Sequence, residues 1–131
     1  MCDMKRTDWQ IEGSGREDIH GTSYEVQGAH RCNLIIAHGF KGYKDYGCFP
    51  WIANRAAEQG AVAHCFNFSH SGMLAGNGSF ERPDLFEIDT WNKQVEDLQA
   101  VVAHCSCLDL PTILMGHSRG GVAILLAVGR E

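Results

Sequence analysis

The feature that most constrains this chain of 131 residues is a pentapeptide, Gly116-His117-Ser118-Arg119-Gly120. It separates a short apolar run, Thr112-Ile113-Leu114-Met115, from a longer run of small and apolar residues, Gly121 to Val128. The first run has the length and composition of a buried strand, and the second predicts a buried helix. A serine at such a junction sits on a strained turn with little room, so the positions on either side of it must lack bulk. Strand, G-x-S-x-G turn and helix in this order form a nucleophile elbow, in which the turn lifts the serine hydroxyl above the sheet edge at a helix N-terminus.

A second motif fits the same site. Asn33 to Ala37 reads as another apolar strand, and it runs into His38-Gly39-Phe40-Lys41-Gly42. An oxyanion beside such a serine is held by two backbone N–H groups. One belongs to the residue after the serine, here Arg119, and the other to a loop after an earlier strand, here Phe40. Gly39 and Gly42 let that loop bend close. Taken alone, His38-Gly39 reads equally well as a strand-ending turn; beside the serine motif it reads as the other half of one site.

These motifs, together with Phe66-Asn67-Phe68-Ser69 after a central strand, resemble the α/β-hydrolase superfamily. Within it they are similar to the small esterases and related serine peptidases that carry H-G-F followed by G-H-S-x-G-G. The resemblance runs from about Asn33 to Gly129. It implies an α/β fold, a three-layer sandwich with a mostly parallel sheet, ending here after the helix that follows the elbow. It implies Ser118 as catalytic nucleophile, Phe40 and Arg119 as oxyanion hole, and His38, Gly39, Gly116, His117 and Gly120 as the residues that shape the motif, with His38 shaping its loop. It implies a small-molecule acyl substrate, no cofactor and no metal.

The rest of the pattern agrees with one domain over 1–131, in which 1–30 supplies N-terminal edge strands and 31–131 supplies parallel βα units. Gln10-Ile11-Glu12-Gly13 and Ser23-Tyr24-Glu25-Val26-Gln27 alternate apolar and polar residues, as one or two antiparallel edge strands would. Phe49-Pro50 opens a helix that Gly60 ends, and Ala61 to Phe68 is a second buried strand. Ser69 to Pro83 is a glycine-containing loop leaving a strand at the edge where open sheets place ligands, so His70 and Met73 are candidates to line an acyl pocket. Asp89 or Thr90 caps a helix carrying Trp91, Val95, Leu98, Val101, Val102 and Cys105 on one face. Lys41, Lys44 and Asp45 read equally well as a solvated loop. Strands alternating with helices predict a parallel sheet with right-handed crossovers.

Eleven basic and sixteen acidic residues give a formal net charge of −5, which argues against nucleic acid and against an anionic membrane surface as partners. No apolar run reaches membrane-spanning length, and the N-terminus lacks the apolar core of a signal peptide, so a cytoplasmic location is expected. The six cysteines read as free thiols rather than a disulfide framework. Cys105-Ser106-Cys107 has no second ligand pair at zinc spacing. His64 and His104 fall in a strand and a helix and read as structural.

A serine hydrolase also needs a histidine to take the serine proton and an acid to orient it, in the chain order serine, acid, histidine. After Ser118 the sequence holds one acid, Glu131, and no histidine. His117 adjoins the serine and points elsewhere on such a turn. Three readings stay open. The chain is the N-terminal part of a serine hydrolase, with a carboxylic ester as the favoured substrate and a peptide bond as the alternative. Or it is a non-catalytic binding protein that kept the fold, or a half-enzyme completed by a second chain. The elbow strand is expected to lie at an exposed apolar edge, through which the chain would self-associate.

Overall fold

The computed structural model describes residues 3–73, 79–106 and 109–130. Strands β1 (Met4–Glu12) and β2 (Asp18–Val26) form an antiparallel hairpin around a short 3₁₀ turn, Ser14–Arg16. There follow β3 (Cys32–Ala37), helix α1 (Phe49–Glu58), β4 (Ala61–Phe66), the short α2 (Pro83–Glu87), α3 (Trp91–Cys105), β5 (Thr112–Gly116) and α4 (Arg119–Gly129). The five strands make one sheet in the order β1-β2-β4-β3-β5. The strands β4, β3 and β5 run parallel, with β5 at the edge and Ile35 of β3 aligned to His64 of β4 and to Leu114 of β5, and the hairpin joins antiparallel through β2 and β4.

Helices cover both faces of the parallel part, which makes three layers. One face packs Ile19, Ile35, Phe66 and Phe68 against Val95, Leu98 and Val101 of α3 and Ala123 and Ala127 of α4. The other packs Tyr24, Ile36, Ala63 and Cys65 against Phe49, Ala53 and Ala57 of α1. Alternate residues of β3 thus feed opposite cores. β4 is buried along its whole length, which is why it reads as an unbroken apolar run rather than an alternating one. Thr90 caps α3, its hydroxyl accepting from the Lys93 N–H at 3.2 Å.

Several expectations are corrected. Only β1 is an edge strand of the hairpin. β2 lies inside the sheet between β1 and β4, and the edge strand β1 carries the exposed charged residues Lys5, Arg6 and Asp8, as edges that avoid pairing do. Helix α4 is not buried all round: Gly120, Ala123 and Ala127 are covered, while Leu125 is 74 % exposed and Val122 and Val128 are also exposed. Its apolar residues on that side have no layer above them. Trp91 leaves the buried stripe of α3, because as the first residue of the helix it turns toward Arg119. At the two ends of the 69–83 stretch, Ser69, His70 and Ser71 are buried and Pro83 opens α2. Residues 74–78, Cys2, Cys107 and Glu131 lie outside the described residues.

Among the described residues no helix is long and apolar enough to cross a membrane, no group of three metal-binding side chains converges, and no cysteine is in a disulfide.

Candidate active site

Ser118 stands at the junction of β5 and α4 with φ 55° and ψ −119° and is exposed. That conformation is the first corner of a type II′ turn, a position that favours glycine, and the Gly120 N–H closes the turn onto the His117 carbonyl at 2.9 Å. For a serine it is a strained backbone, of the order of 1–3 kcal/mol. The free carbonyl of Ser118 then accepts from the Gly121 and Val122 N–H groups at 3.0 and 3.3 Å, and α4 begins.

Two glycines make the turn fit. A Cβ at Gly120 would fall on the carbonyl oxygens of Ala37 and His38, so only glycine lets α4 start against the end of β3. A Cβ at Gly116 would lie 2.5 Å from the Gly121 Cα. The His117 N–H also donates to the Ala37 carbonyl at 3.1 Å, extending the β3–β5 ladder by one bond.

The loop after β3 comes to the same place. The Cβ that Gly39 lacks would be 3.2 Å from the Ser118 Cβ. Residues 39–42 form a turn, with the Gly42 N–H on the Gly39 carbonyl at 3.0 Å and Lys41 at φ 57°. Phe40 is its outer corner, 58 % exposed, with its ring 5.3 Å from that of Phe86.

His38 holds this turn from below. Its Nε2 accepts from the Phe68 N–H at 3.1 Å, which leaves the proton on Nδ1, and Nδ1–H donates to the Gly39 carbonyl at 2.9 Å. Burial lowers its pKa to about 4, against which the bond to Gly39 works only partly. Both ring nitrogens are engaged, so neutral His38 ties the β3 loop to the β4 loop and has no lone pair for Ser118. His117 is exposed, and its ring sits 6.0 Å from that of Phe49. Among the described residues no histidine hydrogen-bonds to Ser118. His64 is buried in the sheet against Ser23 Oγ at 2.6 Å, and the ring of His104 packs tilted at 45° against that of Trp9 with centroids 4.6 Å apart.

Two supports of this region escaped the sequence reading. Lys44 is not solvated: it is 7 % exposed, and its Nζ donates to Thr22 Oγ1 and Asp45 Oδ2 at 2.8 and 2.9 Å. Its backbone N–H donates to Asn67 Oδ1 at 2.6 Å, so the β3 loop is pinned to both β2 and the β4 loop. Asp97 of α3 is the second. It accepts from the Ser14 N–H at 2.7 Å, the Ser69 N–H at 2.8 Å and the Ser69 hydroxyl at 2.7 Å. Burial raises its pKa and these bonds oppose the rise. His70 is consumed in the same cluster through Ser69 Oγ at 2.8 Å, which takes it away from the acyl pocket proposed for it.

Arg119 reaches across the front of the site. Its guanidinium lies 4.7 Å from the Trp91 ring centre and 6.0 Å from that of Phe40, with Asp89 Oδ2 4.0 Å from its Nη2. Its backbone N–H is at the first position of α4, where helix N–H groups have no partner within the helix.

No protein-family model matches the chain, and no curated protein matches it. Solved structures do. An α/β hydrolase, GrgF from Penicillium sp. sh18, aligns with a TM-score of 0.76 at 21% identity, over 97% of this chain and 42% of its own. Est1E from Butyrivibrio proteoclasticus, solved with ferulic acid bound, aligns with a TM-score of 0.76 at 22% identity, over 93% and 47%. A cold-adapted esterase from an Arctic intertidal metagenomic library aligns with a TM-score of 0.72 at 18% identity, over 95% and 55%. The chain therefore has the α/β-hydrolase fold over nearly all its length and spans about half the length of these structures.

Proposed function

We propose that this chain carries the nucleophile and the oxyanion hole of a serine hydrolase acting on carboxylic esters. The observation that carries the reading is Ser118 itself: an exposed serine held at φ 55° between a strand and a helix, with the Gly39 turn packed against its Cβ. Strain of this kind persists only where the surroundings over-determine it, and it gathers at reacting groups. The fold shared with a protein described as an esterase supports the ester over the amide.

In this reading Ser118 Oγ attacks the carbonyl carbon of the ester, the bond from that carbon to the alcohol oxygen breaks and the alcohol leaves with the proton taken from Ser118, and water then cleaves the acyl–Oγ bond to release the acid and restore the serine. Charge develops on the carbonyl oxygen as the carbon becomes tetrahedral. The N–H groups of Phe40 and Arg119 receive it, each fixed beforehand by the turn that carries it, so little reorganisation accompanies the reaction. The proton of Ser118 needs an acceptor. His38 is excluded by its two hydrogen bonds, and we assign the base to a histidine outside these 131 residues, whether on the same polypeptide or on a second chain.

The test compares Ser118→Ala with wild type on p-nitrophenyl acetate, each assayed together with whatever polypeptide supplies the histidine. Loss of turnover with folding intact is expected, and undiminished turnover refutes the assignment. The 131 residues alone are expected to react with a fluorophosphonate no faster than their Ser118→Ala variant, because a serine without a base stays protonated and is a weak nucleophile.

A further inference from the structure

Beneath the 39–42 turn lies a small cavity of about 10 Å³, lined among others by His38, Phe68, Ser71, Asp89, Gln94 and Arg119. Counted as room for the centre of a water-sized sphere, that volume is about what one water molecule needs and admits no second. The side chains of Asp89 and Gln94 are each 5 % exposed. They meet once, where Gln94 Nε2 donates to Asp89 Oδ2 at 2.8 Å. Arg119 Nη2, 4.0 Å from the same oxygen, is too far for a hydrogen bond.

Three buried side-chain atoms of these lining residues have no hydrogen-bond partner among the described residues: Asp89 Oδ1, Gln94 Oε1 and Arg119 Nε. Two accept and one donates. Buried polar groups are as a rule paired, and a polar gap longer than about 3.5 Å is commonly spanned by water. The chemistry of the trio selects the occupant. A cation would face the guanidinium, and an anion would face the carboxylate. A neutral ligand with one heavy atom, two donor hydrogens and a free lone pair satisfies all three.

We infer that Asp89, Gln94 and Arg119 bind one buried water molecule, which donates to Asp89 Oδ1 and Gln94 Oε1 and accepts from Arg119 Nε–H. This water completes the link between Asp89 and Arg119 that the direct distance leaves open. It makes Asp89 a positioning residue. The arginine it fixes carries one of the two N–H groups assigned to the oxyanion, and its guanidinium faces the ring of Phe40, which carries the other. That positioning role rests on the function proposed above; the water site does not.

The two claims are tested separately. A high-resolution crystal structure of the protein is expected to show one ordered water within about 2.7–3.2 Å of all three atoms. Side chains paired directly with one another there, or a dry cavity, would overturn the site. In the ester assay described above, Asp89→Asn is expected to lower kcat for p-nitrophenyl acetate roughly tenfold or more with KM within about twofold, because the donors act on the transition state. Asp89→Glu, which keeps the charge, is expected to restore part of kcat. An unchanged kcat in Asp89→Asn, or equal loss in kcat and KM in both variants, would overturn the positioning role. Ser118→Ala run alongside separates the readings: if it stays active the proposed nucleophile falls, while the crystallographic result still decides the water site.

Discussion

Two adjacent glycines should respond oppositely to the same substitution. Gly120 and Gly121 are consecutive residues in the first turn of α4. A methyl group at Gly121 meets nothing nearer than the Gly116 carbonyl oxygen at 3.6 Å, an ordinary contact. A methyl group at Gly120 would overlap the Ala37 and His38 carbonyl oxygens and lie 2.8 Å from the Ala37 carbonyl carbon. These obstacles are backbone at the end of a central strand. They cannot swing away as a side-chain tip would, so either β3 or α4 must move by about 1 Å to regain normal separation.

Overpacking of this kind costs about 1–3 kcal/mol. The upper end applies here, because the same shift pulls the Ala37 carbonyl from the His117 N–H, a bond worth about 1 kcal/mol. Replacing glycine by alanine in a helix returns at most about 1 kcal/mol. Gly120→Ala should therefore lose about 2–3 kcal/mol, and Gly121→Ala should gain up to about 1. With a urea slope of roughly 1–3 kcal/mol per molar, their unfolding midpoints should differ by at least about 0.7 M. Far-UV circular dichroism at low micromolar concentration measures this directly. Coincident midpoints, or a Gly121→Ala variant less stable than Gly120→Ala, would refute the claim that close backbone approach dictates glycine at 120.

Acid should weaken the fold through two histidines. Burial lowers the pKa of both His38 and His64 to about 4 from an ordinary 6.5, so between those values the unfolded chain binds protons that the folded one refuses. Stability present above pH 6.5 is then lost as pH falls toward 4, by up to about 3 kcal/mol per histidine. Asp97, with its raised pKa, works in the opposite sense, so His64→Asn should visibly flatten a plot of urea midpoint against pH; an unchanged slope counts against the assignment. The 131 residues alone should self-associate, since β5 pairs on one side only and lies beside exposed Ile113, Val122, Leu125 and Val128. Sedimentation should show assembly that Leu125→Lys reduces, and a monomer at high concentration contradicts this.

What the sequence discloses is what burial and turn chemistry write into single residues. β4 announces itself because both its faces are covered and nearly every position is apolar. The two motif loops announce themselves because their glycines answer to backbone contacts a few ångströms away. Other features depend on partners distant in sequence. Lys44 reads as solvated because lysine usually is; its burial requires Thr22, 22 residues earlier on β2, and Thr22 in turn donates to Asp8 on β1 at 2.8 Å. The uncovered side of α4 is equally hidden, since a run of apolar residues does not say which of its faces has a neighbour. Asp97 and Gln94 did leave a trace. Both interrupt the stripe of α3 that carries Val95, Leu98 and Val101, and a polar side chain on a buried stripe must find a partner in another element. That signal points to the Ser69 loop and to Asp89, although it names neither.

The arrangement around Ser118 explains why a strained serine can be held at all. A turn at φ 55° is unfavourable by itself, and an isolated peptide of this sequence would relax out of it. Here each escape is blocked from a different direction. The His117 N–H is committed to β3 through Ala37, and the Ser118 carbonyl is committed to α4 through Gly121 and Val122. Rotation of the turn toward solvent would separate Gly120 from the end of β3 and open the contact that its missing Cβ allows. Rotation inward would drive Ser118 into the Gly39 turn, which His38 holds rigid through Phe68. The strand pair and the helix start are ordinary structures, and the β3 loop carries one further left-handed residue, Lys41 at φ 57°. Ser118 sits where all three meet, and its conformation leaves that hydroxyl outside the sheet, beside the two turns.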